Sequence, residues 1–186
     1  MLLITSSTYY AADAQIQQGN VLVGSDISSI NLSLNKGGNF NISINPKAAW
    51  FIKDNTALGG YVNLGLSGAK GAGTDISYGI GALGRYYINK EELNITKHSR
   101  FFVEANAGIE GFNPSVGDNT NGLGLGLGPG MAYFVTPNIG LEGLLKYNAI
   151  VGFGQSTTAS ALSLGIGFQI YLPGKKIKST IQNPKQ

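Results

Sequence analysis

The chain contains no cysteine and a single histidine, His98. The first absence excludes disulfides and thiolate chemistry; together they leave a zinc site of the usual Cys/His kind without ligands. Charge is scarce as well. Asp, Glu, Lys and Arg make up 12% of the 186 residues, about half the share usual in soluble globular domains. Also missing is any apolar run of the ~18 residues that a transmembrane helix needs. Low charge without a helical span asks for another way of placing apolar surface.

The net charge of +3 does not describe the body of the chain. Four lysines, Lys175, Lys176, Lys178 and Lys185, crowd the end beyond Leu172 with no acid among them. Without them, nine basic residues face ten acidic ones. A near-neutral body speaks against nucleic acid as a partner, which requires a basic face on the folded domain. The first fourteen residues, MLLITSSTYYAADA, read as the remnant of a secretory signal, with Ala12-Asp13-Ala14 as the small-x-small cleavage site.

What is present is glycine, 28 residues, aromatics at 10%, and a hydrophobic period of two. Ile76, Tyr78, Ile80, Ala82, Tyr86 and Ile88 alternate with Asp75, Ser77, Gly79, Gly81, Arg85 and Tyr87. Leu123, Leu125, Leu127, Pro129, Met131 and Tyr133 oppose a glycine at every even position from Gly122 through Gly130. The same alternation recurs over 40–53, 58–67, 101–110, 139–148 and 162–172. A first segment, 20–34, slips phase near Ser28-Ser29, the mark of a β-bulge. Eight segments of this length match eight strands that cross a bilayer at a tilt.

Asp54-Asn55 and Thr136-Pro137-Asn138 are tight turns, and a longer polar link runs from Lys90 to Ser99. The other connections are rich in Gly, Ser and Asn. Pro46–Leu58 also aligns with Pro129–Leu141, each with an aromatic pair, a turn ending in Asn and a rising strand. The two prolines each remove a ladder bond, and local bulges are the expected accommodation.

Alternation alone does not say which face is wet; a soluble lipocalin-like ligand-binding barrel would turn its apolar face inward. Three features favour the inverse. No charge falls on the apolar parity after the first segment. The opposite parity is mostly Gly, Ser and Asn, which suits the narrow lumen of an eight-stranded barrel. Aromatics gather at one end: Trp50, Tyr86, Phe101, Tyr133 and Phe168, with neighbours Phe51, Tyr87, Phe102 and Phe134, form the expected periplasmic belt. On the inward parity, Lys47, Arg85 and Lys146 face Glu104, Glu110 and Glu142, three against three, a set able to pair as a lumen charge network. Lys53 lies nearer the rim and Asp26 on the irregular first strand.

Ser163-Leu-Gly165-Ile-Gly-Phe168-Gln-Ile170 is similar to the terminal-strand signal read by the outer-membrane assembly machinery. With it, residues 18–172 resemble the small OmpA/OmpX-like outer-membrane β-barrel family of Gram-negative bacteria. The resemblance implies an all-β, eight-stranded antiparallel up-and-down transmembrane barrel over 15–172, integral to the bacterial outer membrane. Its partners would be outer-membrane lipid and, during insertion, the assembly machinery. Residues 173–186 read as a basic periplasmic tail and a candidate for contact with anionic cell-wall groups.

Gly79-Ile-Gly81-Ala-Leu-Gly84 matches the dinucleotide fingerprint by letter, but that motif needs a following helix and here alternation runs straight through it. His98 has no evident nucleophile partner. No metal, cofactor or catalytic residue is expected. The expected role is structural, adhesive or weakly pore-forming, with a narrow ion or small-solute channel as the alternative.

Overall fold

The structure, a computed structural model, describes residues 16–32, 39–69, 71, 73–88, 98–153 and 159–174. The expected signal remnant, most of the 90–99 link and all but the first two residues of the expected basic tail lie outside these residues. Eight strands follow in chain order: β1 (Val21–Leu32), β2 (Asn39–Lys53), β3 (Thr56–Ala69), β4 (Thr74–Tyr87), β5 (Ser99–Asn113), β6 (Thr120–Thr136), β7 (Ile139–Gly152) and β8 (Ala159–Leu172). Each pairs antiparallel with its neighbour, and β1 pairs with β8, so the sheet is a closed barrel. Closure removes the strand edges that an open sheet of this length would leave for other chains to pair with.

The apolar parity faces outward. Ile80, Leu127, Leu145 and Leu164 are among many large apolar side chains exposed on the outer wall, while Lys47, Arg85, Glu104 and Glu142 are buried within. This is the reverse of a soluble ligand-binding barrel. In water such a wall would leave far more contiguous apolar area than a soluble monomer shows; lipid is the solvent that suits it. Among the described residues no helix is long and apolar enough to cross a membrane.

The β1–β2 register shifts between Ile27 and Ser29, at the place where the sequence slips phase. The prolines are accommodated differently from expectation. Neither Pro46 nor Pro129 sits at a register shift. The β2–β3 ladder simply opens between Ile44↔Leu64 and Lys47↔Tyr61, and the β6–β7 ladder between Leu127↔Tyr147 and Gly130↔Leu144. A missing N–H thus leaves a local gap without displacing the strand. The bulges come later, between Phe51 and Lys53 and between Phe134 and Thr136. The internal repeat therefore carries the same gap and the same bulge at equivalent places.

Asn55, at φ 63°, takes the left-handed conformation that asparagine tolerates. Its turn meets the start of the described chain: the Asn55 amide donates to the Ile16 carbonyl (2.8 Å) and the Gly19 amide to the Phe51 carbonyl (2.8 Å). Gln18 donates its amide to the Asp54 carboxylate (2.8 Å). At the same end the Gly174 amide donates to Asn20 Oδ1 (3.2 Å), so the two ends of the barrel touch. The end holding the 54–55 and 137–138 turns is called the turn end below, and the opposite one the loop end.

Candidate functional site in the barrel lumen

Inward side chains build three layers. At the turn end, Phe51, Tyr87, Phe102, Phe134 and Tyr171 form an aromatic plug with Leu22, Ala49 and Ala132. Phe134 and Tyr171 lie 5.0 Å apart between ring centres, and Tyr87 and Phe102 5.5 Å. The sequence places both members of each aromatic pair in one belt, but period two sends them to opposite faces. Trp50, Tyr86, Phe101, Tyr133 and Phe168 stay outside, exposed on the wall. Their neighbours Phe51, Tyr87, Phe102 and Phe134 close the lumen instead.

The middle layer is ionic. Arg85 is its centre: Nη1 donates to both oxygens of Glu142 (2.8 Å each) and Nη2 to Glu104 Oε2 (2.6 Å). Its guanidinium carbon also sits 4.0 Å from the centre of the Phe102 ring, joining this layer to the plug. Glu104 accepts from Lys47 Nζ (2.9 Å) and Lys146 Nζ (3.2 Å) as well. Lys47 pairs further with Asp26, whose Oδ1 accepts from Gln169 Nε2 (2.9 Å). Tyr171 donates its hydroxyl to Glu142 (2.6 Å) and lies 2.7 Å from the Tyr87 hydroxyl.

One member of the expected network stands apart. Glu110 is buried nearer the loop end, where it accepts from the Tyr61 hydroxyl (2.6 Å), and none of the described ion pairs includes it. Asp26 takes the third acidic place. Three cations and three anions do pair, as buried charges require, but the set is Lys47, Arg85 and Lys146 with Asp26, Glu104 and Glu142. Asp26 was left outside the set because the bulge at Ser28 blurs the parity of its strand; the register places it opposite Asn45, two residues from Lys47. Arg100, also buried at the turn end, donates to the Ser99 carbonyl (2.7 Å) and went unnoticed for standing at a strand's first residues.

Above the ionic layer lies a cavity of about 400 Å³, lined by Tyr61, Asn63, Asn106 and Glu110 on one side and by Ser28 and Ser163 on the other. The glycines of β6 make room for its wall. A Cβ at Gly124 would collide with the Glu110 carboxyl, and one at Gly126 with Asn106 Oδ1. Lower down, a Cβ at Gly130 would strike the Phe102 ring. Gly124, Gly126 and Gly130 are thus the complement of large inward residues on β5, while Gly122 and Gly128 lie against the β7 backbone.

In the terminal strand, Phe168 and Ile170 face outward, whereas Ser163 accepts from Asn148 Nδ2 (2.9 Å) inside the lumen. Gly165 faces the first strand near Asp26. His98 lies exposed with its ring 6.4 Å from that of Tyr133.

No family model and no curated protein matches the chain. Solved structures do. Neisserial surface protein A is 22% identical, with a TM-score of 0.54 over 82% of this chain and 97% of that one. The N-terminal barrel of Pseudomonas aeruginosa OprF is 14% identical, with a TM-score of 0.49 over 83% and 98%. The outer-membrane enzyme PagL is 16% identical, with a TM-score of 0.46 over 80% and 98%. The first of these likenesses shows the fold. It is that of the small eight-stranded barrels integral to the bacterial outer membrane, consistent with the OmpA/OmpX-like resemblance.

Proposed function

We propose that this outer-membrane barrel is a non-catalytic structural or adhesive protein rather than a through-channel. The observation that carries this reading is the double closure of the lumen: an aromatic plug and a fully paired ionic layer lie one above the other across the bore. Eight strands leave little space even before side chains fill it. An ion crossing here would have to break charge-assisted hydrogen bonds that are strong in a low dielectric. In the proposed orientation the turn end, with both barrel ends and the outward aromatic belt, faces the periplasm, and the loop end faces outward. A non-catalytic role fits the lone histidine, whose ring rests on Tyr133 outside the lumen.

Cell fractionation with gel mobility tests the membrane part. Recovery in the outer-membrane fraction and a band that shifts on boiling are expected; a soluble protein with no shift would overturn it. For the closed bore, the purified chain in planar bilayers is expected to give no discrete conductance steps. Regular steps would favour the narrow channel instead.

A further inference from the structure

We propose that the outer half of the lumen is a binding site for a single-tailed cationic amphiphile, whose tail leaves sideways through an opening between β1 and β8. The inference rests on the membrane-barrel reading above and concerns the cavity between the ionic layer and the loop end.

The head site is defined by acceptors that lack donors. Glu110 is a buried carboxylate held by one tyrosine hydroxyl and by none of the described cations. Asn106, only 8% exposed, has an Oδ1 without a hydrogen-bond partner among the described residues, and so has Asn63. All three line the same cavity. Buried polar atoms of this kind are ordinarily satisfied, and a charge in such a place asks for a counter-charge. A primary ammonium offers one positive charge and three donors. Asp26 and Lys146 of the ionic layer also line the cavity, but each is paired within that layer, with Lys47 and Glu104, so neither takes the place of a counter-charge for Glu110.

The opening comes from the strand pairing. The β1–β8 ladder ends at Ile27↔Ile166, although β1 continues to Leu32 and β8 begins at Ala159. The register shift of β1 against β2, between Ile27 and Ser29, falls at the same level. Leu162, Leu164 and Ile166, on the outer face of β8 along this stretch, are 68%, 67% and 71% exposed, more than the outward leucines of β6 and β7. The cavity reaches both lips of the gap, at Ser28 on one side and Ser163 and Gly165 on the other. In the closed strand order this seam lies across the barrel from β4 and β5. A molecule with its head on Glu110 therefore points its tail at the gap, and from there into lipid. The plug below leaves no route onward through the bore.

The test uses the full chain, 15N-labelled and refolded into phosphatidylcholine nanodiscs, with dodecylammonium as the probe and dodecyl sulfate as its control. Dodecylammonium is expected to shift the backbone amides of Asn106, Glu110, Ser163 and Gly165 saturably. Dodecyl sulfate should not. Glu110→Gln should weaken binding about tenfold or more, the loss of one charge-assisted interaction. Gly165→Phe, where an added Cβ has nothing nearer than 3.7 Å, should obstruct the gap and weaken binding by a similar factor. Should Glu110→Gln fail to refold, Asn106→Leu is the replacement and should also bind more weakly. Shifts confined to outward residues, an equal response to dodecyl sulfate, or unchanged affinity in the head variant would overturn the site. Unchanged affinity in Gly165→Phe would overturn the lateral route. Loss of the heat-modifiable band in the parent protein would instead overturn the membrane-barrel reading.

Discussion

Glu104 gathers more of the lumen than any other acid, accepting from Lys47, Arg85 and Lys146 while 1% exposed. Its removal would take from Lys146 its described acid and leave Lys47 and Arg85 with one acid each, Asp26 and Glu142. Breaking a buried pair by deleting one partner costs about 3–5 kcal/mol, so Glu104→Ala should lower the denaturant midpoint clearly in detergent. Asp118→Ala, in the exposed 114–119 loop, should leave it nearly unchanged. Equal midpoints for the two variants would contradict the account. At this scale much was legible in the sequence: period two put Lys47, Arg85, Glu104, Glu142 and Lys146 on one face, and pairing followed from burial. It did not reveal that Glu110 stands one storey higher, because parity fixes the face of a residue and not its height against strands of staggered register. Parity set Tyr86 and Tyr87 on opposite faces, yet the expected belt still took in Phe51, Tyr87, Phe102 and Phe134 beside their outward neighbours, although consecutive residues must face opposite ways.

At the scale of the element, β6 shows how a strand is shaped by its neighbour. Its glycines lie opposite β5 at Glu110↔Gly122, Gly108↔Gly124, Asn106↔Gly126 and Phe102↔Gly130, and Glu110 leans over Gly124, Asn106 over Gly126 and Phe102 over Gly130. Gly130→Leu would force a side chain into the Phe102 ring and disturb the plug. Overpacking of this kind costs about 1–3 kcal/mol, so the expected outcome is a lower refolding yield in micelles, read as the fraction of heat-modifiable band. A yield equal to the parent's would show that the plug has slack. The strands themselves were readable because alternation is strong over β2 to β8, and only β1 slips phase. The proline ladder gaps were not, since the sequence announces a missing N–H but not which of two neighbouring ladders gives way.

For the whole molecule, closure of the sheet decides what the chain can do. A closed ring of strands satisfies the paired backbone groups that lipid cannot, everywhere but at the β1–β8 seam beyond Ile27↔Ile166, and it confines polar chemistry to one narrow interior and the loops. The even strand number and the tight turns at one end were visible from the sequence. The unequal seam was not: only the pairing shows that β1 and β8 separate beyond Ile27↔Ile166. Loop composition carried no signal for a partner, because a loop's recognition surface depends on how its residues are arranged and not on their proportions.

The contact between Asn20 and Gly174 bears on the order of assembly. The β1–β8 ladder joins the residues furthest apart in the chain, so its closure carries the largest loop entropy and should form last. A clasp of chain ends beside the first rung, Val21↔Leu172, holds the two strands in register at the outset. Closure then runs as a zipper from that rung toward the loop end and stops at Ile27↔Ile166, where the ladder ends.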